Sequence, residues 1–375
     1  MRLWQNVDWT LLGLTLLAAV MGLVAVAGVS GTSLHDPAVV GVLQHQLAYT
    51  LMGLCALTVL ALVDYHAWAR WAKALYAFLI VVLVVTWRLG HHTLGAARWI
   101  RIGHLEIQPS ELGKLLLILW LATLLAPQAG QIRRWRTALL AGAYTALPAL
   151  LVALQPDLGT SLVFAAVLVG VLYAGGFPGT QLALAVACVV GLAVGGVVAH
   201  VRWHLPIPIQ PYQLDRLLSF LNPQVVAQSS GYQVIQSEVT IGSGRLFGTG
   251  LFSMGVNNQL HWLPESNSDF IFASIGSTVG FVGACAVLLV LGAIVWRTLH
   301  CMAGARDGLG ALLTGGIAAM LAAQTLLNAG VALGLLPLTG VPLPFFSVGG
   351  SAALTNFAAL GLVQSVYMRR KKIQF

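Results

Sequence analysis

An aspartate at the edge of an apolar segment is the residue in this sequence best suited to general-base chemistry. The run WLPESNSDFIFA (262–273) places Glu265 and Asp269 at the start of a long apolar stretch. Partial desolvation there raises the pKa of a carboxylate and makes it a stronger base. Alternatively, Asp269 is an acid at a helix N-terminus that complements the helix dipole. The pattern leaves both roles open, and one residue can fill both.

Basic residues near a second apolar segment could bind a phosphate group. In QPSELGK (108–114), the residues Glu111 and Lys114 lie three apart on one face of a predicted helix. Snorkelling to the interface and a simple ion pair with Glu111 are the alternatives for Lys114. The preceding loop carries Arg98 and Arg101, which could make bidentate phosphate contacts or anchor the chain at the interface.

Two further motifs carry polar residues that could contact a ligand. QPDLGT (155–160) places Asp157 between two apolar segments, where the alternative role is a helix N-cap. LPLTGVPLPFFSVGGS (336–351) contains Ser347 and Ser351, which could donate to a ligand or close the helix bundle.

A glycine-rich run, GSGRLFGTG (242–250), does not indicate a nucleotide site. It lacks the strand–turn–helix context that a Rossmann or Walker motif requires. We interpret it as a turn that lets a long loop lie close to the bilayer or to a substrate.

Composition excludes a water-soluble globular protein. Of 375 residues, 58% are hydrophobic and only 8% are charged, whereas about a quarter of a soluble chain is charged. A membrane-spanning helix needs about 20 largely apolar residues. The sequence therefore predicts an all-α polytopic membrane protein, a single domain over residues 1–375.

We expect about ten transmembrane helices and one long extracytoplasmic loop. The predicted spans lie near 10–29, 45–63, 71–88, 112–126, 137–154, 158–175, 179–200, 269–296, 309–335 and 350–368. The loop, residues 201–268, separates spans 7 and 8 and contains an interfacial segment, RLLSFL (216–221). Ala25 and Ala27 after the first apolar run could imitate a signal-peptidase site, but the run is longer than a usual signal-peptide core, so we expect this span to be retained.

The charges are distributed unevenly about these spans. Most basic residues fall on one side if both termini are cytoplasmic, so the positive-inside rule favours that topology. The basic residues on the cytoplasmic side account for the net charge of +8. We therefore expect no nucleic-acid partner. Most acidic residues fall on the outer side, which the rule does not explain, so we expect carboxylates to act there. The four cysteines lack disulfide or zinc spacing.

Several motifs in register resemble the SEDS family of cell-wall glycosyltransferases over essentially the whole chain. They are QPSE with the following Lys114, QPDLGT, IGSG followed by FGTGL, LPES with SDFIFA, and PLPFFSVGGS. The run NNQLHWLPE is closer to the RodA branch of the family than to the FtsW branch. The sequence departs from the RodA pattern in two places. Asn267-Ser268 replaces His-Thr, and Ser277-Thr278-Val279-Gly280 replaces Glu-Glu-Leu-Gly.

The resemblance implies an inverting glycosyltransferase of the bacterial inner membrane that polymerises lipid II into peptidoglycan strands for cell-wall elongation and cell shape. It implies a class B penicillin-binding protein as partner, and Asp269 as the catalytic residue. We expect substrate contacts from Lys114, Arg101, Glu111, Arg98, Asp157, Glu265, Ser347 and Ser351. No cofactor is certain, although outer acids could hold a divalent cation, Mg²⁺ or Mn²⁺. A lipid II flippase and a non-catalytic scaffold of the cell-wall complex remain as alternatives.

Overall fold

The computed structural model describes most of the chain and is almost entirely helical. The described residues are 3–31, 33, 35, 37–89, 91–93, 96–102, 105–203, 211–226, 230–252 and 263–370. The α-helices in these ranges are α1 Trp9–Val29, α2 Pro37–Leu62, α3 Tyr65–Leu89, α4 Pro109–Leu125, α5 Trp135–Ala153, α6 Leu158–Ala174, α7 Gly179–Trp203, α8 Pro211–Leu221, α9 Ser230–Ser243, α10 Ile271–Ala303, α11 Gly308–Ala332 and α12 Gly350–Met368. Short 3₁₀ helices occupy Leu3–Asn6, Ala126–Gln128 and Pro223–Val226.

Each of the ten predicted spans coincides with one of these helices, α1 to α7 or α10 to α12. Eight of the described helices are long and apolar enough to cross a membrane, namely α1 to α5, α7, α10 and α11. Helix α6 is apolar but shorter, at 17 residues, and α12 is buried almost throughout its length. The chain is a multi-pass membrane protein, and the exact number of spans stays a prediction.

Carboxylates and a proline begin four of the helices. Asp8, Asp157 and Asp307 each accept a hydrogen bond from a backbone N–H in the first turn of α1, α6 and α11. Pro109 occupies the first turn of α4, where its missing N–H costs no hydrogen bond. These residues fix where each helix starts, and therefore where the polar residues of its first turn lie along the helix axis.

Glycines allow the central helices to pack closely. A side chain at Gly53 of α2 would overlap the ring of Phe357 on α12, and one at Gly170 of α6 would overlap Ala319 on α11. Small residues at helix contacts are favoured in membranes because packing, rather than the hydrophobic effect, holds helices together there. Helices α2 and α12, and α6 and α11, are two closely packed pairs of the bundle.

The segment between α3 and α4 forms a small antiparallel sheet that the sequence did not predict. Its strands are β1 His91–Thr93, β2 Ala96–Ile102 and β3 Leu105–Ile107. In the β2–β3 pair, Arg101 lies opposite Glu106. Arg98 and Arg101 lie on β2, the middle strand of the sheet.

Helix α10 is interrupted at Gly280, where φ is +72°. The glycine-rich run supplies the hydrogen bonds that the interruption leaves open. Four backbone hydrogen bonds, of 2.9 to 3.1 Å, join Thr249 to Ser277, Gly250 to Thr278, Phe281 to Arg245 and Val282 to Leu246. The run therefore lies against α10, and the residues that replace the family's Glu-Glu pair lie at this break.

Candidate functional site

Asp269 lies at the end of a compact turn, residues 263–270, immediately before α10. The carbonyl of Glu265 accepts hydrogen bonds from the backbone N–H groups of Ser268 and Phe270, at 3.2 and 3.1 Å. Glu265 itself adopts a left-handed conformation, with φ +53°, and its carboxylate accepts a hydrogen bond of 2.7 Å from the Ser268 hydroxyl. These hydrogen bonds close the turn and place Asp269 two residues before the first residue of α10.

The chain between α11 and α12 fastens this turn to the bundle. Ser347 Oγ donates to the carbonyl of Ser268 at 2.7 Å and accepts from the backbone N–H of Leu343 at 2.8 Å. The N–H of Val348 donates to the carbonyl of Asn267 at 2.9 Å. From α11, Asn328 Nδ2 donates to the carbonyl of Asp269 at 2.9 Å.

The pKa of the Asp269 carboxylate is raised to about 6. Desolvation by the surrounding protein is the largest cause, followed by repulsion from Glu265 and, more weakly, from Asp157; the positive charges of Arg98 and Arg216 act in the opposite direction. Within the described part of the chain, no side chain forms a hydrogen bond or ion pair with this carboxylate. An unpaired carboxylate with a raised pKa suits a general base.

Arg216 was missed by sequence reasoning. It lies on α8, the helix that contains the predicted interfacial segment, and is half-buried. A cation in a segment otherwise suited to an apolar interface was the available signal, because an ionisable group at membrane depth is a functional candidate by default.

We expect the acid limb of the pH–rate profile to lie near pH 6, because the base must be ionised and the pKa of Asp269 is about 6. Glu265→Gln removes a negative charge that raises this pKa, so the limb should move to lower pH. Arg98→Gln removes a positive charge that lowers it, so the limb should move to higher pH. Measuring kcat/KM against pH for both variants checks the assignment, and shifts of the same sign would contradict it.

Glu111 and Lys114 form a buried ion pair at the start of α4. Their charged atoms, Glu111 Oε2 and Lys114 Nζ, lie 2.6 Å apart, and the Lys114 side chain is 0% exposed. The Lys114 side chain therefore does not snorkel to the interface. It forms the ion pair with Glu111, which was the other alternative. Glu111 Oε1 is buried without a partner. A phosphate contact by Lys114 stays a prediction, and it requires access to a side chain that is closed in this structure.

Asp157 has the N-cap role that the sequence left open. Its carboxylate accepts hydrogen bonds from the backbone N–H and hydroxyl of Thr160, at 3.1 and 2.9 Å, and from Gln108 Nε2 at 3.1 Å. The backbone N–H of Gln108 donates to Ser351 Oγ at 2.9 Å. Asp157 and Ser351 thus join the starts of α4, α6 and α12, and direct substrate contacts by them stay predictions.

The other residues predicted to contact a ligand are Ser347, Arg98 and Arg101. Ser347 closes the bundle through the two hydrogen bonds given above, which was the alternative to ligand binding. Arg98 is half-buried, whereas the side chain of Arg101 lies outside the described residues. Among the residues that the structure describes, no three histidine, cysteine or acidic side chains converge as a metal site would require. A divalent cation held by the outer acids stays a prediction.

Comparison with known proteins identifies the family. A model of the FtsW/RodA/SpoVE group, described as "Cell cycle protein", matches residues 8–372. The chain belongs to this family. It is 35% identical over 327 residues to stage V sporulation protein E of Bacillus subtilis (strain 168), covering 86% of each chain. It is 33% identical over 334 residues to peptidoglycan glycosyltransferase MrdB of Escherichia coli (strain K12), covering 89% of this chain and 88% of MrdB.

A solved structure confirms the fold over nearly the full length. It is described as "Structural coordination of polymerization and crosslinking by a peptidoglycan synthase complex". The TM-score is 0.78 at 28% identity, covering 97% of this chain and 98% of the matched chain. With relatives of this similarity named glycosyltransferases, the chain is a glycosyltransferase. Similar identities to the sporulation protein and to MrdB do not single out one branch of the family.

Proposed function

We propose that this chain is a peptidoglycan glycosyltransferase of the RodA branch that polymerises lipid II during cell-wall elongation. The observation that carries the proposal is Asp269: a carboxylate that no described side chain pairs, with a raised pKa, just before α10, in a family whose named members include a peptidoglycan glycosyltransferase. The run NNQLHWLPE supports the branch.

The reaction is an inverting displacement. The 4-hydroxyl oxygen of an acceptor sugar attacks the anomeric carbon of a polyprenyl-pyrophosphate donor, and the bond from that carbon to the pyrophosphate oxygen breaks. The hydroxyl proton passes to Asp269, and the pyrophosphate leaves with the bonding electrons. Its charge requires fixed cations, a role for Arg98, Arg101 and Lys114. Ionised Asp269 is the reactive form, because a protonated carboxyl cannot accept the proton.

The protein is proposed to lie in the bacterial inner membrane with both termini in the cytoplasm. The basic residues support this orientation, because most of them fall on the side opposite Asp269. A class B penicillin-binding protein is the proposed partner. The matched structure described as a peptidoglycan synthase complex supports such an assembly, because its description joins polymerisation with crosslinking.

Purified protein in lipid vesicles or detergent, supplied with labelled lipid II, tests the function. We expect glycan polymer, and more of it when the transpeptidase partner is present. The polymer should be absent when the protein is omitted. Transfer of lipid II between leaflets without polymer would favour the flippase alternative, and neither activity with intact partner binding would favour a scaffold.

A further inference from the structure

Asn328 is a buried amide on a largely apolar helix, and its side chain contacts the main chain of Asp269. It lies near the end of α11 and is 1% exposed. Its Nδ2 donates to the carbonyl of Asp269 at 2.9 Å and to the carbonyl of Val341 at 2.8 Å. The amide has two N–H hydrogens, so both are used on these carbonyls. A polar side chain in such a helix is costly unless it has a role.

Val341, whose carbonyl is the second acceptor, follows Gly340 in the chain, and the carboxylate of Asp269 lies beside Gly340. Gly340 has φ +70°, and a Cβ placed on it would lie 3.2 Å from Asp269 Oδ2. The carboxylate therefore lies beside backbone that only a glycine adopts easily. By binding both the Asp269 and Val341 carbonyls, Asn328 fixes the carboxylate's own main chain and the surface it lies against.

The two residues before Asp269 are held to the bundle by hydrogen bonds that do not involve Asn328. Ser347 holds the carbonyl of Ser268, and Val348 holds that of Asn267. If the bonds of Asn328 were lost, these contacts would still hold the turn to the bundle. The expected consequence is a change in the direction of Asp269 rather than loss of the fold.

We propose that Asn328 is a positioning residue for Asp269, holding its carboxylate in the direction needed to accept a proton from the acceptor sugar. The proposal rests on the proposed function, in which Asp269 is the base. It assigns Asn328 no contact with substrate. The role is specific to the amide, because a side chain of similar size without N–H donors cannot make either bond.

The test compares Asn328→Leu with Gln324→Met in the polymerisation assay. Gln324 is a matched control: it lies one turn earlier on α11, is 0% exposed, and neither of its amide atoms has a partner in the described structure. For Asn328→Leu we expect kcat to fall by roughly 10- to 100-fold, as for other small displacements of a reacting group, with KM within about twofold. Gln324→Met should retain the kcat of the wild type.

A pH profile separates positioning from a purely structural role. If the carboxylate turns towards water in Asn328→Leu, it regains hydration and the acid limb should move to lower pH. Reduced yield or thermal stability with unchanged kcat and an unchanged limb would overturn the proposal. If the wild type makes no polymer, the proposed function fails instead, so the two failures are distinguishable.

A second variant decides the matter if Asn328→Leu does not fold. Asn328→Ser replaces the two N–H donors by one hydroxyl on a side chain one bond shorter, so at most one of the two carbonyls keeps a weakened bond. We expect an intermediate fall in kcat, with KM unchanged. Wild-type kcat in this variant would overturn the proposal.

Discussion

Asp269→Asn is expected to abolish glycan polymerisation while the protein still folds and still binds its partner. The amide has the volume of the carboxyl group but cannot accept the hydroxyl proton. Loss of a general base costs roughly 10²- to 10⁴-fold in rate. Initial rates with labelled lipid II, measured at equal amounts of folded protein, give the size of the effect.

Stability should not fall in Asp269→Asn, and the sign follows from the pKa. The folded-state pKa is about 6, above the ordinary value of 3.8. The carboxyl therefore favours the folded state most at low pH, and this contribution is lost as pH rises towards about 6. At neutral pH the neutral amide should leave thermal stability unchanged or slightly higher, as measured by the melting temperature.

The matched control is Glu238→Gln, which neutralises an exposed carboxylate on α9. It should polymerise lipid II at the wild-type rate. Retention of more than a few per cent of activity in Asp269→Asn would contradict the base assignment, and equal losses in both variants would point to a general effect of charge.

The helices could be predicted because their signals are local. Apolar segments of spanning length, Pro109 and the capping acids are all visible in short windows of sequence, and each predicted span coincides with a helix. The strands between α3 and α4 were missed because β1 and β3 have only three residues each. Their pairing depends on contacts that a window of sequence does not contain.

The candidate site was predicted only in part, because short windows of sequence show neighbouring residues but not contacts between distant helices. Asp269 and Glu265 share one motif, and Arg98 is close in sequence to Arg101. Asn328 and Arg216 reach the site from α11 and α8, so their roles depend on how distant helices pack. For Asp157 and Ser347, the structure shows the structural role that the sequence offered, an N-cap and a bundle contact, while ligand binding by either residue stays a prediction.

The role of Lys114 in the Glu111–Lys114 pair was the hardest feature of the site to predict from the sequence. The spacing allowed snorkelling, an ion pair or a phosphate contact, and these differ in where one ammonium group lies. Burial of both charged groups, 2.6 Å apart, makes the stability effect of Lys114 large whatever its catalytic role. A single substitution therefore cannot separate the two.

Lys114→Met is expected to destabilise the protein by about 3–5 kcal/mol, because it leaves Glu111 charged and unpaired in the bundle. Arg297→Met is a matched control at the opposite end of the bundle. It breaks the pair between Arg297 Nε and Asp8 Oδ2, which lie 2.8 Å apart. It should also lower the melting temperature, although Arg297 is partly exposed, but the folded fraction should bind lipid II with the wild-type KM.

The double variant Glu111→Leu/Lys114→Met separates pairing from phosphate binding. Replacing both partners of a buried pair with apolar residues of similar size is often neutral for stability, so its melting temperature should return towards that of the wild type. Activity should remain low, because the cation proposed to stabilise the leaving pyrophosphate is absent. Lys114→Arg should not fully restore activity either, since a planar fork differs from a compact ammonium. If the double variant recovered both stability and wild-type turnover, Lys114 would act only as the partner of Glu111, and the phosphate role would be wrong.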